Sequence, residues 1–424
     1  MRAPERNRQR EPKEPFLLAT ALEMGRLAND ALLRAGLSEA IIVGDARRGL
    51  ELVNELSMVV RGPCDTAALA RALGRAAAGE GVEILRPDTV GMRFEGGGPA
   101  LLRVVSPATF VEALVRGTGS ARHVRWLSRV AADHGGLAAV SKRCRTEEDF
   151  YAALGLPFAP PELREGSTRS MPELVGEVRG IFHVHTTWSD GAATISEMAR
   201  AARDAGFGYA GITEHSKTAS YAGGLDATQL GRQARAIARA RREVPGFAIL
   251  HGVEVDVLPD GSLDLDDATL ASLDFVIASV HARLDMGADE MTSRLLRAVS
   301  HPLVTILGHP TGRLLLGRKG SSFDIDAVAV AAAANDTFLE INANPQRLDL
   351  SEDLVRRAAA RGACFAIDPD AHSPRGVRDT ALGLSVARRA GLAASQVLNT
   401  RGAREVAAYL ESRRRKAKRA LALA

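Results

Sequence analysis

Seven short apolar runs recur between residues 180 and 372, and nearly every run ends at a side chain that could bind a metal ion. Helical patterns separate these runs, as at 195–206 and 228–242. Parallel strands need helical crossovers and bury both faces, so the alternation predicts a closed or nearly closed α/β barrel. The predicted strands are 180–185, 209–215, 247–254, 275–281, 304–309, 338–344 and 365–372.

Histidine, aspartate and glutamate residues gather at the predicted strand ends, where barrels of this type place their active sites. His183 and His185 stand two residues apart, a spacing that directs both imidazoles to one face of a strand. Imidazole and carboxylate together suit zinc, manganese or iron. Three divalent ions sharing a bridging carboxylate would use the whole candidate set, which is His183, His185, Asp190, His215, Glu254, His281, His309, Asp370 and His372. His251 and His301 fall outside this pattern, and we expect them to be packing, surface or supporting residues.

Residues 15–165 show a different organisation. Helical patterns at 16–36, 66–79 and 107–116 are mixed with strand patterns at 39–44, 51–60, 81–85 and 101–105, without regular alternation. This mixture predicts an α+β domain. We expect a disordered lead over 1–14, a linker over 166–177, a barrel domain over 178–402 and a basic helical tail over 403–424. The cluster of positive charge at 413–419 is either a solvated helix end or a nucleic-acid contact.

Composition limits the remaining classes. No apolar run approaches the roughly 20 residues that span a bilayer, and the amino terminus has no signal-type apolar core, so we expect a cytoplasmic protein without a membrane partner. The three cysteines are isolated, which suits a reducing compartment and leaves nitrogen and oxygen as metal ligands. The net charge of +4 is compatible with a polyanionic substrate.

The segment 178–402 resembles a PHP (polymerase and histidinol phosphatase) domain, whose fold is a distorted seven-stranded barrel. Glu214 replaces the usual aspartate before a ligand histidine, and Asp368-Pro369 replaces the usual Asn-Thr. Neither change removes a ligand, but both can alter supporting hydrogen bonds. The resemblance is carried by His183-x-His185, Ser189-Asp190-Gly191, Glu214-His215, Gly252-Val-Glu254, Ser279-Val-His281, Gly308-His309-Pro310 and Asp370-Ala-His372.

The resemblance also implies how the ligands divide. His183, His185, Glu254 and Asp370 would hold one ion, Glu254, His281 and His309 a second, and Asp190, His215 and His372 a third. A water shared by two ions would then attack phosphorus, with no protein nucleophile. Glu214 and Asp368 are candidates to orient ligands. Contacts to phosphate or to the next nucleotide, or alternatively loop scaffolding, are expected from Arg313, Arg318, Asn342, Asn344 and Arg347.

Residues 15–165 resemble the palm and thumb of bacterial family X DNA polymerases, a nucleotidyltransferase-like fold. Gly44-Asp-Ala-Arg47-Arg48, Thr118-Gly-Ser120 with His123, and the connector 146–166 carry the resemblance. Polymerisation needs a carboxylate cluster that holds two ions. The family's Asp-x-Asp is Glu55-Leu-Ser57 in this chain, and its third aspartate is Leu101, so we expect that synthesis is lost. Arg47 and Arg48 would contact phosphates or serve only as scaffold.

Two catalytic functions and one binding function follow from these features. The first is a metal-dependent phosphoesterase acting on DNA ends, as a 3′ to 5′ exonuclease or a 3′-end phosphatase or phosphodiesterase. The second is a phosphomonoesterase for small esters of the histidinol-phosphatase type, favoured by the modest charge and by the lack of a recognisable DNA-binding segment before residue 15. The third is a DNA-binding scaffold with structural metals. The sequence leaves metal identity, end polarity and oligomeric state open.

Overall fold

The structure is a computed structural model that describes residues 14–76, 81–167 and 169–422. The chain divides into two compact units between Met171 and Pro172. Residues 1–13 of the expected disordered lead lie outside the described residues, as do residues 77–79 of the predicted helix 66–79. Within the described ranges, no helix combines the length and the apolar character that a membrane crossing requires.

The amino-terminal unit is built on a five-stranded sheet with the order β2-β4-β7-β6-β5, beside a two-stranded pair of β1 and β3. Only β4 and β7 run parallel to each other. The strands are β1 Phe16–Leu17, β2 Ala40–Val43, β3 Leu52–Val53, β4 Leu56–Arg61, β5 Glu83–Arg86, β6 Thr89–Arg93 and β7 Pro99–Val105. The helices are α1 Leu18–Arg34, α2 Gly44–Arg47, α3 Thr66–Ala76, α4 Phe110–Thr118, α5 Ala121–Val130, α6 Leu137–Ser141 and α7 Glu147–Ala153.

The carboxyl-terminal unit contains the predicted barrel, with seven parallel strands in sequential order. The strands are β8 Gly180–Val184, β9 Tyr209–His215, β10 Ala248–Asp256, β11 Ile277–Ser279, β12 Ile306–Leu307, β13 Phe338–Asn342 and β14 Phe365–Asp368. The helices are α8 Ile195–Asp204, α9 Ala227–Glu243, α10 Asp267–Ala271, α11 Ala288–Val299, α12 Ile325–Ala334, α13 Glu352–Ala360, α14 Thr380–Ala390 and α15 Ala403–Ala420. The α/β class and the seven-stranded barrel are therefore confirmed.

The first and last barrel strands meet just beyond the end of β14. The backbone N–H of Ala371 donates to the carbonyl of His183 at 3.1 Å, and the N–H of His185 donates to the carbonyl of Ala371 at 2.9 Å. Because β8 and β14 share this short bridge and no continuous ladder, the barrel is nearly closed. The bridge also brings two candidate ligands of β8 beside those that follow β14.

Aromatic side chains fill the barrel end opposite to the candidate ligands. Phe275 occupies the space between Gly211 and Gly252, where an added Cβ would approach its ring to 2.4 and 2.6 Å. Glycine is therefore required at both positions. Helix α15 covers this end with Val406 and Leu410, which pack in the same cluster as Phe275. The predicted basic tail is thus a helix with one apolar face in the core.

The polar side of α15 is partly tied to the barrel. The guanidinium of Arg413 donates to the carbonyls of Pro302 and Val304, which lie just before β12, and to the hydroxyl of Thr337 just before β13. These acceptors stand at the amino ends of the strands, and the candidate ligands stand at the carboxyl ends. Arg413 therefore anchors the helix on the side of the barrel away from the ligands.

Two sequence expectations in the amino-terminal unit were wrong in detail. The single strand expected over 51–60 is divided into β3 and β4, and the helix expected over 107–116 starts as the 3₁₀ turn Pro107–Thr109 before α4 begins at Phe110. The strand β6 was not predicted, because Gly91 interrupts its apolar pattern. In the structure an added Cβ at Gly91 would lie 2.6 Å from the Leu85 side chain, so the glycine permits β5 and β6 to pack closely.

Candidate metal centre

The barrel strands deliver the candidate ligands to one end. His183 lies in β8, His215 closes β9 and Glu254 lies near the end of β10, while His281 and His309 each stand two residues beyond a strand. Asp370 and His372 follow β14, and Asp190 lies in the loop after β8. All nine predicted residues are brought together in overlapping groups, as the sequence pattern indicated.

Glu254 lies at the centre of the cluster. Its Oε1 is 2.9 Å from Nε2 of His309, 3.1 Å from Nε2 of His281 and 3.4 Å from Nε2 of His183. Its Oε2 is 2.8 Å from Nδ1 of His215. One carboxylate therefore faces imidazoles on both of its oxygens, which is the placement of a bridging ligand.

The groups that could hold an ion overlap. One contains the whole implied set of Asp190, His215 and His372, and the other two implied sets are divided among several groups. His309 groups with His183 and Asp370, and His215 groups with Glu254 as well as with Asp190. In each group the ligand atoms lie within 4.8 Å of one another. The groups are His185 with Asp190, His215 and His372; His183 with His185 and Glu254; His183 with His309 and Asp370; and His215 with Glu254 and His281.

Unsatisfied buried atoms test whether these residues fit metal ions. A buried nitrogen or oxygen without a hydrogen bond is costly, and proteins rarely keep several together without a ligand. Among the described residues, seven such atoms converge here, and their imidazole and carboxylate chemistry fits a divalent ion. They are Nε2 of His183, both ring nitrogens of His185, Nδ1 of His215, Oε2 of Glu254, Nε2 of His281 and Nδ1 of His309.

Glu340 and Asp256, two carboxylates that no motif identified, contact the Nδ1 atoms of candidate ligand histidines. Oε1 of Glu340 lies 2.6 Å from Nδ1 of His183, and its Oε2 accepts the backbone N–H of His309 at 2.6 Å. Oδ1 of Asp256 lies 3.0 Å from Nδ1 of His281. Metal-bound histidines usually donate their second N–H to a carboxylate in this way. Asp256 stands two residues after Glu254, on the same strand face, and this spacing is the sequence feature that could have identified it.

Burial and mutual charge set the protonation states. Burial lowers the pKa of His183, but the surrounding carboxylates, led by Glu340, outweigh it and raise the pKa well above the usual value. Burial raises the pKa of Glu254, but the imidazoles, led by His281, hold it well below the usual value. Burial lowers the pKa of His185 to about 3. Near neutral pH, Glu254 is therefore ionised and His185 is neutral, which are the forms that coordinate metals, whereas His183 is protonated and would release a proton when an ion binds.

The cluster opens to solvent beside Asp190 and His372, whose side chains are 36% and 37% exposed. The loop that carries Asp190 is held by Glu214, which accepts the hydroxyl of Thr186 at 2.5 Å and that of Ser189. Burial raises the pKa of Glu214. Glu214 therefore supports the loop of the mouth, which is the orienting role expected for it.

Asp368 and His251 were also candidate supporting residues, and each contacts a group beside the cluster. Asp368 accepts the backbone N–H of Phe182 at 2.7 Å, and burial together with Glu340 raises its pKa to about 8. His251 lies outside the cluster, where its Nε2 is 3.0 Å from Oε1 of Gln233 and burial lowers its pKa to about 4. The amide of Gln233 donates onward to Glu214 at 3.1 Å.

The predicted substrate contacts in the barrel occupy different positions. Arg347 lies at the cluster, with Nε 3.4 Å from Asp370 and with a buried Nη1 that has no hydrogen-bond partner among the described residues. The amide of Asn342 donates to Asp370 at 3.2 Å. Asn344 accepts the N–H of Gln346 in its own loop. Arg313 and Arg318 donate to backbone carbonyls, at residues 347–348 and at residue 312 respectively. Of these five residues, Arg347 and Asn342 contact the candidate ligand Asp370.

Arg47 and Arg48 lie in a network of the amino-terminal unit. Arg47 contacts Glu147 at 2.5 Å, and Arg48 contacts Glu165 at 2.8 Å and Asp45 at 2.6 Å. These arginines are therefore neutralised by acidic side chains of the same unit.

The expected loss of the polymerase carboxylates has a clear location. Ser57 of β4 pairs directly with Leu101 of β7, so the two replaced positions are neighbours on parallel strands. Among the described residues before Met171, no histidine, cysteine or acidic residue enters a potential metal group.

A nearly closed parallel barrel with imidazoles and carboxylates at the carboxyl ends of its strands is typical of α/β barrel proteins that bind metal ions at that end. The family described as the PHP domain matches residues 182–344, and the DNA polymerase beta thumb matches residues 113–165. The chain belongs to the PHP-domain family, and its amino-terminal part carries a polymerase-type thumb.

Named relatives fall into two kinds. The DNA polymerase/3′-5′ exonuclease PolX of Bacillus subtilis strain 168 is 38% identical over 73% of this chain, and the chain spans 57% of that protein. A probable phosphatase of Thermoanaerobacter sp. strain X514 is 31% identical over 55% of this chain and 95% of its own length. A probable phosphatase of Vibrio campbellii is 29% identical over 57% of this chain and 95% of its own length.

Proposed function

We propose that the protein is a metal-dependent phosphoesterase that removes nucleotides or phosphate from the 3′ end of DNA. The observation that carries this proposal is the group of unsatisfied imidazole and carboxylate atoms around Glu254 at the barrel mouth. The polymerase-type thumb in the same chain, and the similarity to a protein named as a 3′-5′ exonuclease, favour DNA as the substrate.

The proposed ligands are the nine residues predicted from the sequence, with Glu254 as a bridge between ions. Three divalent ions, manganese, zinc or iron, would use the whole set. Bound there, such ions would activate water as the nucleophile and neutralise charge on the phosphate oxygens. Glu340 and Asp256 would accept the Nδ1 protons of His183 and His281, which leaves Nε2 of each ring free to coordinate.

Arg347 would position the phosphate. Its buried Nη1 lacks a hydrogen-bond partner among the described residues and lies on the side chain that contacts Asp370. A guanidinium donates in a fixed planar fork that matches phosphate oxygens. Asn342 would keep Asp370 in place through its amide. The opening beside Asp190 and His372 would admit a chain end.

The second candidate is a phosphomonoesterase for small esters. The probable phosphatase of Thermoanaerobacter is matched over 95% of its length by 55% of this chain, so a part of this chain corresponds to nearly a whole protein of that name. This candidate keeps the same ligands and the same chemistry and changes only the substrate.

A parallel assay separates the candidates. The purified chain, supplied with Mn²⁺, is incubated with 3′-recessed DNA and with p-nitrophenyl phosphate, alongside His183→Ala. Shortening or dephosphorylation of the DNA, abolished in His183→Ala, is expected. Ester hydrolysis without any action on DNA would reverse the ranking. A protein that binds DNA but hydrolyses neither substrate would be a scaffold with structural metals.

A further inference from the structure

Helix α9 carries an exposed arginine face that the metal centre does not use. Arg232, Arg235 and Arg239 are exposed, and at 100° per residue they lie within an arc of about 60°. No hydrogen bond or ion pair to another described residue involves any of them. We call these three residues the arginine face.

Acidic groups do not neutralise this surface. Asp226 caps α9, and Glu197 caps the neighbouring α8. Glu243 accepts the hydroxyl of Ser196 at 2.5 Å, and Asp204 pairs with Arg203 at 3.1 Å. These carboxylates keep their own charge, but none of them pairs with Arg232, Arg235 or Arg239 among the described residues, so the arginine face stays exposed and unpaired.

The arginine face starts close to the metal cluster. The N–H of Leu225 donates to the carbonyl of the candidate ligand His215 at 2.7 Å, and Asp226 then caps α9. With a rise of 1.5 Å per residue, Arg232 lies about 9 Å along the helix from Asp226, and Arg239 about 10 Å further. Helix α9 therefore starts beside the cluster, and its positive charges begin about 9 Å further along the outside of the barrel.

A groove runs beside this face. It has a volume of about 340 Å³ and lies between α8 and α9. Its lining includes Trp188, two arginines, Arg200 and Arg239, and two glutamates, Glu197 and Glu243. Trp188 is half-buried and stands two residues before the candidate ligand Asp190. An aromatic ring beside a basic track is the combination that binds single-stranded nucleic acid, because bases stack on the ring and phosphates meet the cations.

We propose that the arginine face and the adjoining groove bind the single DNA strand whose 3′ end enters the metal cluster. This inference rests on the proposed function and adds the path of the strand. One strand of B-form DNA rises about 3.4 Å per phosphate along the helix axis, and an extended single strand spaces its phosphates further apart, so the span of about 10 Å would cover roughly two or three of them. Trp188 would contact a base close to the mouth.

The test measures binding of a short single-stranded phosphorothioate oligonucleotide, which resists hydrolysis, to the metal-loaded protein at several salt concentrations. Arg232→Gln/Arg235→Gln/Arg239→Gln should lower the slope of log K against log salt by about 2, since each phosphate contact on a single strand contributes roughly 0.7. Its hydrolysis of p-nitrophenyl phosphate should equal that of the wild type, because none of the three residues is a candidate ligand.

A matched control removes the same charge elsewhere. Arg404, Lys416 and Arg419 are exposed on α15, which covers the opposite end of the barrel. Replacing these three with glutamine should leave the slope unchanged. An equal loss in both variants, or no loss in the α9 variant, would overturn the proposal. Because binding is measured without turnover, an inactive wild type would refute the exonuclease function and still leave the strand path decided by the slopes.

Fluorescence gives a local readout. The chain has two tryptophans, so Trp188 is the only one left in a Trp126→Phe variant. The oligonucleotide should quench Trp188 emission in step with binding. Unchanged emission at saturation would exclude the groove from the strand path.

Discussion

The two units of this chain treat buried charge in opposite ways. In the amino-terminal unit, the carboxylate of Glu147 is shared between Arg47 and the fully buried Arg164. In the barrel, the Nε2 atoms of His183 and His281 are buried without hydrogen bonds, close to the carboxylate of Glu254. In the first arrangement every charge is paired within the unit, and among the described atoms of these three side chains only Nη2 of Arg164 is buried without a hydrogen bond. In the second, several nitrogen and oxygen atoms are left without one, which divalent ions would satisfy.

This difference indicates where each unit's polar residues act. A satisfied ion-pair network stabilises or specifies a fold, whereas an unsatisfied cluster lowers stability and persists where it serves a function. Ser57 and Leu101 pair in register on β4 and β7 although neither carries a carboxylate, so the sheet does not depend on an acidic group at these positions. We therefore place the proposed activity in the barrel, and the amino-terminal unit has no carboxylate at the two positions where the polymerase family carries aspartates.

The largest effect is expected from removing a central ligand. His183→Ala should lower kcat/KM for phosphoester hydrolysis about 10³-fold or more, because a metal site supplies several kcal/mol of transition-state stabilisation. Steady-state kinetics with saturating Mn²⁺ would measure the loss. The control is His301→Asn, which changes a histidine paired with Asp267 outside the cluster. Equal activity in both variants would contradict the assignment of hydrolysis to the cluster in the barrel.

A large effect on stability, with little on catalysis, is expected from Glu147→Ala. It leaves Arg164 buried without its carboxylate, a change that typically costs ~3–5 kcal/mol. Urea unfolding followed by Trp126 fluorescence in a Trp188→Phe background would report it. The matched control is Asp88→Ala, which breaks an exposed pair with Arg103 and should cost at most about 1 kcal/mol. A similar small cost for both would show that the network does not stabilise the unit.

A smaller effect is expected from the residues behind the ligands. Glu340→Gln removes the charge that faces Nδ1 of His183 and should weaken metal binding by roughly 10–100-fold. Titration with Mn²⁺, followed by electron paramagnetic resonance, would measure it. Asp256→Asn should act similarly through His281. If both variants bound metal as tightly as the wild type does, the proposed supporting role of these two carboxylates would be refuted.

The smallest effect is a pH dependence in the amino-terminal unit. Burial lowers the pKa of His123 below its ordinary 6.5, so below that pH the unfolded chain binds more protons than the folded one. Stability should therefore fall as pH drops from 6.5 toward the lowered pKa. His123→Gln should flatten this part of the profile, which thermal unfolding at a series of pH values would reveal. An unchanged slope in the variant would assign the dependence to other groups.

Much of the barrel was predictable because its strands are buried on both faces. Their apolar runs are therefore easily recognised, even where the hydrogen-bonded strand is as short as β12, Ile306–Leu307. The ligand set was predictable for the same reason, since polar residues stand out where such runs end. Glu340 was missed because it lies inside a run, between Leu339 and Ile341, where its contact with His183 depends on a strand distant in sequence.

The amino-terminal unit was less predictable. Its strands are short, and Gly91 removes an apolar residue from β6. The roles of its arginines could not be predicted, because Asp45 is a local acidic partner but the others, Glu147 and Glu165, lie about a hundred residues later. A basic motif alone does not distinguish a phosphate contact from an internal ion pair.

Metal content tests the central claim most directly. Elemental analysis of the purified protein, and of Glu254→Ala prepared in the same way, would count the divalent ions per chain. The account predicts close to three ions in the wild type and a clear loss in the variant, because Glu254 faces imidazoles on both of its oxygens. A wild type that retains no ions after Mn²⁺ loading, or a variant that keeps the full complement, would contradict it.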